Sequence, residues 1–419
     1  MMPPRTYAIL GTGALGGYYG GMLVRAGLET HFLLRSDFDH VREHGLIIDS
    51  VRGDFALSVD QINAYGEPSK LPACDVAVVC LKTTQSDRLP ELLAHCVKPN
   101  GVVLVLQNGL HPEADAAAIV GDDRVLGGLC FLCSNKIGPG HIQHLDYGHI
   151  HMGVYQPETS DSPATRHFPG IVEDFSAAGI ETIAVDDLRL SRWKKLVWNI
   201  PYNGLSVVLN QTTDVMMGDP HTRRRIEAIM HEVQAAALAV DGKVIEDAFI
   251  QKMLDYTAKM EPYKTSMMLD YEAGREMEIE AIVGDPLRVA HSQQISCGEI
   301  ESIYRRLLQK RYHSPHVLNA PKVEAHLLID RTEIRIRQYF LSRSRTDHFA
   351  KYWRPLFVRL REHVADETLT RKHWVGLSRI IADSIAPPEH GLYHELMALL
   401  TSAQGKVDRA LKDDTWREN

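Results

Sequence analysis

Three groups of residues in this chain have types and spacings that could do chemistry. The first is Gly11-Thr-Gly13-Ala-Leu-Gly16, which follows the apolar run YAIL (7–10) and opens a helical pattern. Gly11 permits a tight turn, Gly13 lets the backbone approach a pyrophosphate, and Gly16 lets the helix pack closely on the strand. The helix start at Ala14 and Leu15 then offers free N–H groups and the positive end of the helix dipole to phosphate. In this strand–loop–helix setting the pattern points to dinucleotide binding rather than to a merely structural turn. The next strand, THFLL (30–34), decides which dinucleotide. An NAD site would end it on Asp or Glu, to accept from the ribose 2′-OH. Here it ends on Arg35-Ser36, and Glu29 lies at the opposite end. A guanidinium and a hydroxyl suit a 2′-phosphate, so NADPH is the expected cofactor; the alternative for Arg35 is a solvated surface arginine.

The second group is RWKKLVWNIPYN (192–203), where Lys195, Asn199 and Asn203 recur every four residues. On a helix these positions share one face, with Pro201 a point at which the helix can kink and carry Asn203 off the stripe. Near a cofactor, such a lysine could give a proton to a carbonyl oxygen as hydride reaches the carbon, and the amides could hold substrate oxygens. Taken alone, Lys194 and Lys195 are better accounted for by a solvated helix face. The third group lies in SMMLDYEAGREMEIEAIVG (266–284). Glu278 and Glu280 alternate there with Met277, Ile279 and Ile282, so one carboxylate is expected to face inward; read alone, the segment is a charged helix start.

The elements that must position these residues are legible in outline. DVAVVCL (75–81) and GVVLVL (101–106) join the two earlier strands, each apolar throughout and separated by helical patterns. That arrangement implies an α/β domain with a parallel sheet covered on both faces. LGGLCFLCSN and HIHMGVYQ, around a Pro139-Gly140-His141 turn, read as antiparallel. Beyond a boundary at Val185–Arg189 the texture becomes helical, with apolar residues at three- and four-residue spacing over Trp193–Leu209, Arg223–Asp241 and Ala248–Met260. A second change near Arg311 divides the chain into residues 1–188, 189–310 and 311–419, the last a set of amphipathic helices including one kinked at Pro355.

Composition closes off other classes. The 419 residues carry a net charge of −8, with 44% hydrophobic and 24% charged residues, which excludes disorder and a whole-chain nucleic-acid binder. Six cysteines are too few for a disulfide scaffold and suit a reducing cytoplasm. No apolar run approaches the roughly 18 residues of a membrane helix, and MMPPRT leads straight into the first strand, leaving no room for a signal peptide. The expected location is the cytoplasm.

Five blocks in order carry a family resemblance: GTGALG (11–16), LKTTQ (81–85), LQNGL (106–110), WKKLVWNIPYN (193–203) and the 266–284 segment. Over about residues 5–308 the chain resembles ketopantoate reductase (2-dehydropantoate 2-reductase), an NADPH-dependent enzyme of pantothenate biosynthesis. The resemblance implies a Rossmann domain, then an all-α domain of the 6-phosphogluconate dehydrogenase C-terminal type, with the active site between them. It implies that Lys195 is the general acid and that Glu278 orients substrate and lysine. Asn199 and Asn203 would bind the substrate's hydroxyl end, Ser266 its carboxylate, and Asn108 would lie beside nicotinamide and substrate. Lys82 and Gln85 would flank the cofactor, together with Gly11, Gly13, Ala14, Leu15 and Gly16, and Arg35 would take the 2′-phosphate. Lys195 and Glu278 would then be a coupled pair, desolvation lowering the lysine pKa and the carboxylate opposing that.

The expected partners are a small-molecule 2-keto acid and a second copy of the chain, with no nucleic acid, membrane or metal. The chain departs from the family in its extension 311–419, in Thr213 where a polar amide is usual, and in Val283-Gly284-Asp285-Pro286 where Asn-Gly is usual. These departures leave open another 2-keto acid or the oxidative direction, and a non-catalytic NADP(H) sensor with a partner-binding C-terminus is the rival of another class. Cys130-Phe-Leu-Cys133 faces both ways on a strand, and His390 with His394 makes half a metal site. If Arg35 reads the 2′-phosphate, Arg35→Ala will weaken NADPH about tenfold or more and NADH less than about twofold in fluorescence titrations; equal losses would refute the role.

Overall fold

The computed structural model describes residues 4–156 and 161–312. Its elements begin with β1 (Tyr7–Leu10), α1 (Ala14–Arg25), β2 (Thr30–Leu33), α2 (Phe38–His44), β3 (Leu46–Ser50), β4 (Phe55–Leu57) and β5 (Asn63–Tyr65). Next come β6 (Cys74–Val79), α3 (Leu89–Cys96), β7 (Val97–Val105), α4 (Pro112–Val120), β8 (Val125–Gly138), β9 (His141–Val154), α5 (Pro163–Ala177) and β10 (Thr182–Ala184). Helices follow: α6 (Leu188–Leu209), α7 (Thr213–Gly218), α8 (Pro220–Asp241), α9 (Asp247–Thr257), α10 (Ser266–Glu272), α11 (Asp285–Ser292) and α12 (Gly298–Tyr312). The change from sheet to helices thus falls between Ala184 and Leu188.

One sheet runs β4-β3-β9-β8-β7-β6-β1-β2-β5, with β10 added along β9. From β5 to β8 every pairing is parallel. The apolar strands are apolar because both faces are covered. Tyr7, Ile9, Val76, Val78, Val102 and Leu104 pack with α1 and α5, whereas Ala8, Leu10, Ala77, Val79, Val103 and Val105 pack with α3 and α4. The hairpin β8–β9 is antiparallel, as its sequence suggests, but three register shifts bend it, one of them between Cys133 and Ser134. Cys130 is buried, Cys133 is partly exposed, and both are free thiols. Sequence reading missed β3, β4, β5 and β10, which have three to five residues each and expose part of their length, so their apolar signal is too short to register.

The glycine loop has the shape its sequence demands. Gly11 has φ +100°, and Gly16 lies so close to the Gly11 carbonyl that a Cβ would come within 2.2 Å of that oxygen. At Gly13 an added Cβ would meet nothing within 4 Å, so the loop is open where a ligand would approach. Thr12 Oγ1 donates to the Leu33 carbonyl at 3.0 Å, fastening the loop to the end of β2.

Among the helices, α6 starts at an Asp187 cap, whose side chain accepts from the Leu190 N–H at 2.8 Å. It runs unbroken through Pro201 to a left-handed cap at Asn210. Trp193 is fully buried, and its Nε1 donates to Asp241 at the end of α8 at 2.6 Å. Residues 1–268 with 276–304 form one compact unit that contains both sheet and helices. Residues 269–275 and 305–312 belong to a second, in which Arg275 Nε donates to Asp270 at 3.0 Å. The helix expected around Pro355, the pair His390 and His394, and the extension from residue 313 onward lie outside the described residues. Among the described residues no helix is long and apolar enough to cross a membrane, and no group of three His, Cys, Asp or Glu could hold a metal ion.

Gly16→Ala should lower stability in urea melts by about 1–3 kcal/mol through overpacking. Gly13→Ala should stay within about 1 kcal/mol of the parent and lose dinucleotide affinity instead.

Candidate active site

The site is assembled where α6 lies against the end of β7 and the body of β8. Three residues before Lys195, Arg192 is fully buried with Glu113 of α4. Its Nε donates to Glu113 Oε1 at 3.0 Å, and its Nη2 contacts the same oxygen. Nη1 donates to the Gln107 carbonyl at 2.6 Å, and Nη2 also lies 3.5 Å from the Val105 and Gly128 carbonyls. One guanidinium therefore ties α6 to α4, to the end of β7 and to β8. The planar fork with several donors makes arginine suited to this task, where lysine would leave acceptors unpaired.

Lys195 is held one helical turn further on. Its Nζ donates to the Cys130 carbonyl at 2.8 Å and to Asn108 Oδ1 at 3.1 Å, and it stands 5.4 Å from the centre of the Phe131 ring. The His149 ring stacks on that of Phe131 at 4.7 Å and 9°, and His151 lies 4.8 Å from it at 50°. Burial pulls the Lys195 ammonium down to about 8; the neighbouring Arg192 adds to this, and the Cys130 thiol and Glu278 oppose it. An ammonium has three N–H groups. Two are engaged by these acceptors.

Glu278 is the inward carboxylate that the alternation anticipates, and it is 9% exposed. It precedes a π-helical turn at Glu280–Gly284, rather than opening a regular charged helix. Its neighbour Glu280 turns away to Arg288 and Tyr304. Thr83 donates to Glu278 Oε1 through both its backbone N–H at 3.0 Å and its hydroxyl at 2.9 Å, while Asn108 Nδ2 donates to Oε2 at 3.1 Å. Lys195 and Glu278 are coupled through their charges rather than by contact; Asn108 stands between them, its amide oxygen toward the lysine and its amide nitrogen toward the carboxylate. Gly109, at φ +110°, brings this loop against the π-helical turn, where a Cβ would lie 2.8 Å from the Ala281 carbonyl.

Asn199 and Asn203 are buried on α6. Asn203 Oδ1 accepts from the Met267 N–H at 3.4 Å. The Thr265 hydroxyl meets the Ser206 hydroxyl at 2.7 Å and accepts from the Met268 N–H at 3.2 Å, which fixes the start of α10 beside α6. Ser266 is exposed at that start. Thr213 is buried and serves the fold, its hydroxyl accepting from the Tyr263 N–H at 3.2 Å.

On the cofactor side, Arg35 is exposed just beyond β2. Ser36 donates its hydroxyl to Asp37 at 2.9 Å, so this oxygen is engaged within the protein. Asp37 is a carboxylate near the strand tip that the sequence reading passed over. It is buried, and although burial works against its charge, Lys136 at 2.6 Å, the Gly140 N–H and Ser36 hold its pKa below the ordinary value. Its charge is consumed internally. Lys82 and Gln85 are partly exposed, at and near the start of the 3-10 turn Thr83–Arg88.

Sequence reasoning missed Thr83, Arg192 with Glu113, Phe131 and the Cys130 carbonyl. Thr83 lies in the block 81–85 between Lys82 and Gln85, which drew attention for their longer polar side chains, and Arg192 heads the run RWKK, where it reads as one more charge of a solvated helix start. A backbone carbonyl leaves no mark in residue types.

Comparison with known proteins shows the family and the fold. Residues 7–157 match the family described as ketopantoate reductase PanE/ApbA, and residues 187–311 match its C-terminal domain family. The chain is 53% identical over 306 residues to a 2-dehydropantoate 2-reductase of Nostoc sp., covering 73% of this chain and 95% of the relative. A crystal structure of 2-dehydropantoate 2-reductase from Geobacter metallireducens superposes with a TM-score of 0.69 at 38% identity, over 73% of this chain and 99% of that one. A ternary structure of D-mandelate dehydrogenase with NADH and anilino(oxo)acetate shares the fold, with a TM-score of 0.66 at 18% identity over 73% and 98% of the two chains.

Glu113→Ala strips the buried Arg192 of its counter-charge and should cost about 3–5 kcal/mol in denaturant melts.

Proposed function

Because this chain belongs to the ketopantoate reductase family of oxidoreductases, we propose that it reduces ketopantoate to pantoate with NADPH and that Lys195 is the general acid. The observation that carries this reading is the lysine's setting. A half-hidden ammonium with two fixed acceptors and one remaining N–H is an oriented proton donor. A pKa of about 8 keeps it protonated near neutrality and still willing to give the proton up.

The residues present suit the dinucleotide. Gly13 leaves the space that a pyrophosphate needs, and Ala14 and Leu15 open α1 with their N–H groups facing that space. Arg35 stands beyond β2, where the 2′-phosphate of NADPH would be met, with Asp37 neutralised by Lys136. Lys82, Gln85 and Asn108 line the approach from the sheet to the substrate. When bound, the nicotinamide supplies a hydride to the ketone carbon. Lys195 then gives the third N–H proton to the oxygen as negative charge builds there, and solvent restores it. Asn108 keeps the lysine aimed, since its amide oxygen holds one N–H in place. Asn199 and Asn203 face the substrate's hydroxyl end; Asn203 Oδ1 accepts from backbone, leaving its NH₂ group to donate. Ser266, beside Asn203 at the start of α10, is assigned to the substrate carboxylate. A pure NADP(H) sensor would need the glycine loop and Arg35, but it gives no reason for Lys195, Asn108 and Glu278 to converge.

The test is NADPH consumption by the purified chain with ketopantoate, followed by nicotinamide absorbance. Turnover with NADPH bound but a different 2-keto acid required would overturn the substrate. Lys195→Ala should cut kcat by about 10³-fold or more with NADPH affinity within about twofold; full activity would sink the general acid. The active form is the protonated lysine, so kcat should be flat below and fall as pH rises through about 8. A kcat that rises across that range would contradict the assignment.

A further inference from the structure

We infer that Thr83 is the positioning residue that sets the polarity of the Glu278–Asn108–Lys195 chain. The inference rests on the reading of Lys195 as the acid but concerns a residue to which neither the family blocks nor the stripe on α6 assigns a role. Glu278 Oε1 receives both of Thr83's donors, at 3.0 and 2.9 Å, which leaves Oε2 turned to Asn108 Nδ2 at 3.1 Å. An asparagine amide can be seated either way round. With an acceptor on one side and a donor on the other, one orientation satisfies both, NH₂ toward Glu278 and oxygen toward Lys195. That orientation is the one that holds a lysine N–H at 3.1 Å. If Glu278 swings away, Asn108 loses the acceptor that fixes it, and a flipped amide would present NH₂ to an ammonium.

Thr83 is well placed to lock the carboxylate. It begins the 3-10 turn Thr83–Arg88, which is braced by the Gln85 N–H donating to the Lys82 carbonyl at 2.9 Å. Gln107, the residue before Asn108, donates through Nε2 to Ser86 Oγ of the same turn at 3.3 Å. The two loops that carry Thr83 and Asn108 are thus joined independently of Glu278, and the carboxylate bridges a fixed gap. Thr83's hydroxyl is the part of this lock that a side-chain substitution can remove, since the backbone N–H stays.

Thr83→Val keeps the shape and removes the hydroxyl, and Thr83→Ser keeps the hydroxyl. In the full-length enzyme with NADPH, Thr83→Val should lower kcat about tenfold with NADPH affinity within about twofold, and Thr83→Ser should retain at least about half of the parent rate. In a Glu278→Gln background, Thr83→Val should add less than about twofold, because the group it positions is already changed. Equal losses in Val and Ser, or an undiminished effect in the Gln background, would overturn the role. Crystal structures of the parent and Thr83→Val separate this inference from the function itself. The Glu278–Asn108 contact should be lost in the variant whichever keto acid is reduced, and its persistence there at hydrogen-bond distance would refute the inference. An inactive parent enzyme would count against the proposed function instead.

Discussion

The buried ion pair of Arg192 and Glu113 is the constraint on which the site depends. Its members come from α6 and α4, and its remaining donors are spent on carbonyls of β7, β8 and Gln107. A charge taken out of water is tolerable when its hydrogen-bonding capacity is met, so this pair fixes one relation between helix and sheet and penalises others. Lys195 sits one turn along the same helix. The geometry that brings its Nζ over the Cys130 carbonyl and against Asn108 follows from where Arg192 is pinned.

Around the lysine, opposing effects are set against one another. Burial, and to a smaller extent the Arg192 charge, favour the neutral amine, whereas the Cys130 thiol and the Glu278 carboxylate favour the ammonium, and the group is left near 8. Had Glu278 paired with it directly, the ammonium would be held more firmly and would be a poorer acid. Interposing a neutral amide keeps the carboxylate close enough to orient and too far to neutralise. Placing Glu278 at the mouth of a π-helical turn suits this arrangement, because such turns redirect a side chain without ending a helix.

Much of this was readable from residue order. The glycine loop was legible because each glycine answers a local steric demand, visible as φ +100° at Gly11 and as the 2.2 Å approach at Gly16. Strand β1 and the inner stretches Val76–Val79 of β6 and Val102–Val105 of β7 were legible because a doubly covered stretch of strand must be apolar at every position. The short strands β3, β4, β5 and β10 were not, since edge pairing needs few apolar residues. Asp37 was passed over because its charge is cancelled by Lys136, 99 residues away along the chain.

The sequence by itself determined the nucleotide-binding loop, the order of sheet and helices, and which residue types could share a face of α6, because these follow from spacing within one element. Tertiary structure alone decided that Asn108 separates Lys195 from Glu278, that Thr83 holds the carboxylate, and that a backbone carbonyl of β8 receives the lysine. Those contacts join residues 65 to 195 positions apart. No local periodicity encodes such a pairing; it comes into being when Arg192 and the loops at the ends of β6 and β7 are packed together.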